Sequence, residues 1–168
     1  MEIYMSKYAT ASLAAVMAIL FLVGAAFAAS DTASTSASVT VNEFLSVTLS
    51  NAPVAFPNLD PGTGPTAANV SNGYPLTATI GSESNVDADV STKADASDFT
   101  GPGTLAVSNM EWSDASAGTY ADYTTSDATV CSSIGASVEC DIYHQITIPG
   151  GQAAGSYSVG LTVTATSV

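Results

Sequence analysis

The sequence predicts an all-β protein, an antiparallel, immunoglobulin-like β-sandwich of about seven to nine strands behind an N-terminal signal peptide. Three observations carry this. Apolar residues recur at every second position, the period of a half-buried strand and not of a helix. Turn-forming clusters punctuate these runs at Asn51-Ala52-Pro53, Asn58-Leu59-Asp60-Pro61-Gly62, Asn72-Gly73, Gly101-Pro102-Gly103 and Pro149-Gly150-Gly151. Beyond the leader no amphipathic stretch exceeds two helical turns, and Ser, Thr, Ala and Gly, which suit strands and turns, make up much of the remainder.

Met1 to Tyr8 carries a single Lys, Lys7, and precedes an uncharged run from Ala9 to Ala29 that ends in Ala26-Phe27-Ala28. Small residues at the −3 and −1 positions place a cleavage site after Ala28, so residues 1–28 read as a secretory signal peptide and no transmembrane helix is expected in the mature chain. The rival reading is an uncleaved membrane anchor, for which the run is just long enough. Removal of the leader takes Glu2 and Lys7 together and leaves the net charge unchanged. Residues 29–38, a Ser/Thr/Ala segment without a large apolar side chain, read as a flexible N-terminal piece, and residues 39–168 as the sandwich domain.

Within that domain Val39, Val41, Leu45, Val47 and Leu49 share one parity, predicting one long strand or two consecutive ones over 38–50. Leu76, Ala78 and Ile80 form the next. Val86, Ala88 and Val90 follow, with Asp87 and Asp89 on the opposite face. Leu105 and Val107 open a short strand. Ile142, His144, Ile146 and Ile148 make another, and Tyr157, Val159, Leu161, Val163 and Ala165 the last.

Cys131 and Cys140 are the only cysteines, and Gly135 lies midway between them. Strands folding back at Ile134 to Ala136 bring the thiols opposite each other, and an exported protein meets the oxidising conditions that join them. Closing such a loop is worth roughly 2.5 kcal/mol on the chain-entropy estimate. A metal or redox site would want closer cysteine spacing and nearby His ligands. Asn69-Val70-Ser71 is an N-glycosylation sequon, which makes Asn69 a candidate glycan site.

The charge of −13, with 15 acidic residues against two Lys or Arg, excludes nucleic acid as a direct partner, because little is available to displace phosphate counterions. With 46% hydrophobic and 10% charged residues the chain is not composed like a disordered one. No catalytic residue is assigned and no enzyme activity is expected. His144, the sole histidine, shares a strand face with Ile142 and Ile146, and neither a nucleophile elbow nor a His pair for metal occurs. Asp87/Asp89 and Asp95/Asp98 read first as surface acids. Asp95 and Asp98 are the candidate calcium ligands, since loop carboxylates suit a hard, oxygen-liganded ion. No other cofactor is expected. Trp112, with Tyr120 and Tyr123 nearby, reads as core ahead of a sugar-stacking platform.

Two stretches carry a resemblance: Pro57-Asn-Leu-Asp-Pro-Gly-Thr63, and Ile148-Pro-Gly-Gly-Gln-Ala-Ala-Gly-Ser-Tyr-Ser-Val-Gly-Leu-Thr-Val-Thr-Ala165. The first looks like the opening of many exported sandwich domains, and the second is similar to the closing strands of spore-coat-U-type fimbrial subunits. A signal peptide followed by an acidic, Ser/Thr/Ala-rich sandwich also resembles archaeal bundling pilins and TasA-like matrix fibre proteins. The cysteine pair lies later than in the fimbrial pattern. The resemblance implies a fibre in which an N-terminal segment of one subunit completes the sandwich of the next.

The composition suits that role: beyond the leader only Lys93 offers a trypsin-like protease a cut. The expectation is an exported structural subunit of an extracellular filament, pilus or surface layer, a homo-polymer joined through the N-terminal segment and a sheet edge. The alternative is a monomeric secreted module binding carbohydrate or calcium at the cell surface.

Overall fold

The computed structural model describes residues 34–168, and within them the chain is all-β with antiparallel pairing throughout. Val41–Val168 forms one compact unit. Its strands are β1 (Val47–Ser50), β2 (Thr66–Ala67), β3 (Leu76–Ile80), β4 (Ala88–Ala94), β5 (Asp98–Phe99), β6 (Leu105–Ala106), β7 (Met110–Ser113), β8 (Ala121–Asp122), β9 (Ala128–Ile134), β10 (Glu139–Ile146) and β11 (Leu161–Ser167), with one 3-10 turn at Val107–Asn109. The larger sheet has the order β1-β3-β10-β7-β8, with β2 also paired to β10; the smaller is β11-β4-β9, and β5 pairs with β6. Two main antiparallel sheets with apolar faces between them meet what a β-sandwich requires.

The alternation read from the sequence explains the two central strands. On β4, Ala88, Val90, Thr92 and Ala94 are buried while Asp89, Ser91 and Lys93 are not. On β10, Cys140, Ile142, His144 and Ile146 point inward and Glu139, Asp141, Tyr143 and Gln145 outward. The inward residues build two apolar clusters. One gathers Ala94, Leu105, Val107, Met110, Tyr123 and Ile146, the other Ala78, Ile80, Ala88, Val90 and Cys140.

Edges depart from the sequence reading. The strand expected over 38–50 is regular only at Val47–Ser50, and Val39 and Val41 are 88% and 76% exposed although they share the parity of the buried side. Asn85 accounts for the change. Its side chain accepts from the Phe44 amide at 2.8 Å and donates to the Asn42 carbonyl at 2.9 Å, while its amide donates to the Phe44 carbonyl at 3.1 Å, so the chain is held there by one residue and not by a strand ladder. At the other end Tyr157 and Val159 precede β11 and are tied instead by a bridge from Ser158 to Thr100.

Cys131 and Cys140 are bonded, with Cα atoms 6.0 Å apart. Their strands fold back as expected but are not ladder partners. β9 pairs with β4 and β10 with β3, so the disulfide fastens the smaller sheet to the larger. Cys131 stands opposite Val90 between two bulges in the β4–β9 register, and Asp89 accepts from the Ser133 amide at 2.8 Å where the irregular strand leaves that donor unpaired.

Candidate functional site

Two features stand out: a polar chain buried between the apolar clusters, and an open cleft along the sandwich edge. The first forms because β2 and β3 share one flank of β10. β3 pairs with residues 139–142 and β2 with 145–146, so the chain between them leaves the sheet beside His144. The turn at Asn72-Gly73 returns the Gly73 carbonyl to within 2.9 Å of His144 Nδ1. Gly73 sits at φ +94°, and a Cβ there would lie 2.8 Å from the Val54 side chain, so glycine is required by both backbone and space.

A carbonyl only accepts, so Nδ1 carries the proton and donates to Gly73. Nε2 is then the acceptor for the Tyr123 hydroxyl 2.8 Å away, and Thr92 Oγ1, 3.2 Å from that hydroxyl, donates to it in turn. Burial holds the imidazole neutral, pushing His144 down to about 4 against the opposing pull of its backbone hydrogen bonds. Burial also pushes the Tyr123 phenol above its ordinary value, the Thr92 hydroxyl counteracting it. Among the described residues no buried side-chain nitrogen or oxygen lacks a partner. The chain is a closed structural network with neither a free nucleophile nor an open face.

The second feature lies where β1 and β11, the end strands of their sheets, border a gap. A cleft of about 260 Å³ is lined by Leu49 of β1, Leu76 of β3 and Leu161 and Val163 of β11. A larger cleft of about 730 Å³ shares its Pro53, Val54, Val159 and Leu161 walls and continues past Phe56, Leu59, Phe99 and Ile148. Tyr157, hydrogen-bonded through its hydroxyl to Gln152 and the Ala153 carbonyl, also lines the larger cleft.

The residues singled out in the sequence are scattered about this framework. Asp95 is exposed, its carboxylate accepting from Thr162 Oγ1 at 2.7 Å, and Asp98 accepts from Ser97 at 2.9 Å. Among the described residues no group of three or more His, Cys, Asp or Glu is placed to hold a metal ion. Asn69 is exposed in the turn before Gly73, where its carbonyl accepts from the Asn72 amide. Trp112 is half-buried against the cluster of Met110 and Tyr123. Tyr120 adjoins Ala121, the ladder partner of Trp112, and has Tyr74, Tyr143 and Glu111 around its phenol; burial first, then Tyr74, raises that group above its ordinary value. Tyr74 and Tyr143 meet edge to face at 5.1 Å.

Residues 34–38 are exposed and without regular structure, while the rest of the 29–38 segment and the whole of 1–28 lie outside the described residues. Among the described residues no helix is long and apolar enough to cross a membrane. The chain matches no protein-family model and no curated protein.

Proposed function

We propose that this chain is an exported structural subunit of an extracellular or cell-surface filament, its β-sandwich of immunoglobulin-like arrangement completed by the N-terminal segment of a neighbouring copy. In this reading residues 1–28 are removed as a signal peptide, and the resemblance to bundling pilins, TasA-like fibre proteins and fimbrial subunits reflects a shared mode of assembly.

One observation supports it above the others. Val39 and Val41 alternate at strand period, are bonded to no strand among the described residues, and stand 88% and 76% exposed just before β1 in the sequence. Apolar side chains so placed gain by entering a partner's sheet, where a segment also finds backbone hydrogen bonds. Donor and acceptor surfaces differ, so the contact repeats head to tail and grows an open fibre. The fully partnered buried network holds the two sheets in one relation, as a scaffold requires.

Negative-stain electron microscopy of the purified exported protein tests this. Ordered fibres are expected; monodisperse single domains at high concentration would instead favour a monomeric adhesion module for sugar or calcium.

A further inference from the structure

Among the described residues four strand edges end the two main sheets, and three of them are blunted. β8 has two residues and carries Asp122; β1 has four; β9 is broken by bulges, with Ser133 at φ +51°. β11 differs. It runs seven residues, Leu-Thr-Val-Thr-Ala-Thr-Ser, with neither charge nor proline, and pairs regularly with β4 along its whole length, while its other side has no partner among the described residues. A long, flat, uncharged edge is the kind that recruits another strand.

The core beneath that edge is incompletely covered. Inward residues of the central β4 are fully buried, whereas Leu161, Val163 and Ala165 of β11 are only half-buried, and Leu49 of β1 is 46% exposed although its ladder partner Ala78 is 0% exposed. Leu49, Leu161 and Val163 border the cleft between β1 and β11.

We propose that this cleft receives residues 34–41 of a second copy, laid along the free edge of β11 with Val39 and Val41 entering between Leu49, Leu161 and Val163. The assignment rests on the filament reading above and names its acceptor. Three matches support it. The segment Ser34-Thr-Ser-Ala-Ser-Val-Thr-Val41 is eight residues, roughly 26 Å when extended, against roughly 23 Å for β11. Val39 and Val41 share one face at the spacing that separates Leu161 from Val163. The segment is uncharged, so it approaches a molecule of net charge −13 without repulsion.

The test uses the full chain carrying Val39→Asp and Val41→Asp, which keeps the cleft and spoils the donor. A peptide of residues 34–42 with a diazirine-bearing aliphatic residue at position 39 is added, followed by anisotropy and, after irradiation, by mass spectrometry. Cross-links on Leu161–Val163 or Leu49 are expected, and the same peptide with Asp at 39 and 41 should bind about tenfold more weakly or worse. Cross-links elsewhere overturn the acceptor and leave the filament reading standing. No peptide binding by a variant that no longer polymerises does the same. No binding by a variant that still forms fibres overturns both, and uptake of a fluorescent fatty acid in place of the peptide makes the occupant a small apolar molecule.

Discussion

His144 Nε2 lies 2.8 Å from the Tyr123 hydroxyl, and the two rings run within 5° of parallel with centroids 5.7 Å apart. Through this contact the larger sheet, which carries His144, reaches Thr92 on the smaller one. Thr92 sits between Val90 and Ala94, and His144 between Cys140 and Ile146, so on both strands the polar residue separates members of the two apolar clusters. An apolar core alone tolerates sliding of one sheet over another. A hydrogen-bonded chain with one satisfactory arrangement fixes their relation, because any slip leaves buried donors and acceptors unpaired.

Acid should therefore weaken the fold through His144. Its folded value of about 4 lies below the ordinary 6.5, so the unfolded chain binds more protons between these values. The contribution is complete above pH 6.5 and is lost as pH falls toward 4, by roughly 3 kcal/mol in all. The difference between wild type and His144→Phe in denaturant titrations isolates the histidine. That variant should be less stable than wild type at pH 7, and the gap should shrink as pH falls from 6.5 to 4.5.

Tyr123→Phe leaves Nε2 without its donor and Thr92 without its acceptor, at a cost of about 1–3 kcal/mol. Thr92→Val should cost less alone and little more when added to Tyr123→Phe, because the two share one network. A double-mutant cycle measured by urea unfolding checks this.

Gly73→Ala forces a side chain into a left-handed conformation and against Val54. A loss of about 1–3 kcal/mol from the backbone alone is expected. The Gly73 carbonyl should also shift from His144, visible as a changed imidazole nitrogen resonance.

The network shows where sequence reading stops. Period-two alternation located β3, β4 and β10 and put His144 on an inward face, because strand periodicity is a local property. Nothing local ties His144 to Tyr123, Thr92 and Gly73, which meet only after β2 and β3 have settled on one flank of β10. The cysteine spacing revealed the bond. It did not reveal that the bonded strands enter different sheets, since bulges in β9 are set by its pairing with β4. Over 38–50 the alternation extends past the strand that forms, as pattern reports compatibility with a sheet and not the presence of a partner. The cleft is a property of two edges far apart in sequence, Leu49 and Leu161–Val163.

Calcium should leave the melting temperature unchanged, and chelation likewise, given the hydrogen bonds already engaging Asp95 and Asp98 and the absence of a three-ligand group among the described residues. Scanning calorimetry with calcium and with chelator checks it. A rise of several degrees on calcium, lost in Asp95→Asn with Asp98→Asn, would make these residues a site.

Removing the Cys131–Cys140 bond by Ala substitution should cost about 2–4 kcal/mol, since it releases both the loop and the tie between sheets. Thermal unfolding of the double variant measures the loss, and intact mass of the exported protein should show two protons fewer than the reduced chain and no residues 1–28.

Assembly by N-terminal donation is tested most directly by deleting Ala29 to Thr40 behind the signal peptide, which removes Val39 and all but the last residue of the donor, and comparing the product with wild type by electron microscopy and sedimentation. The deletion shortens the donor and leaves Val41–Val168, with its disulfide and buried network, untouched. The expected result is an exported, folded protein, with wild-type circular dichroism, that stays monomeric where wild type forms fibres. Fibres of normal length and stability from the truncated protein would contradict the account and leave the segment as no more than a leader to the fold.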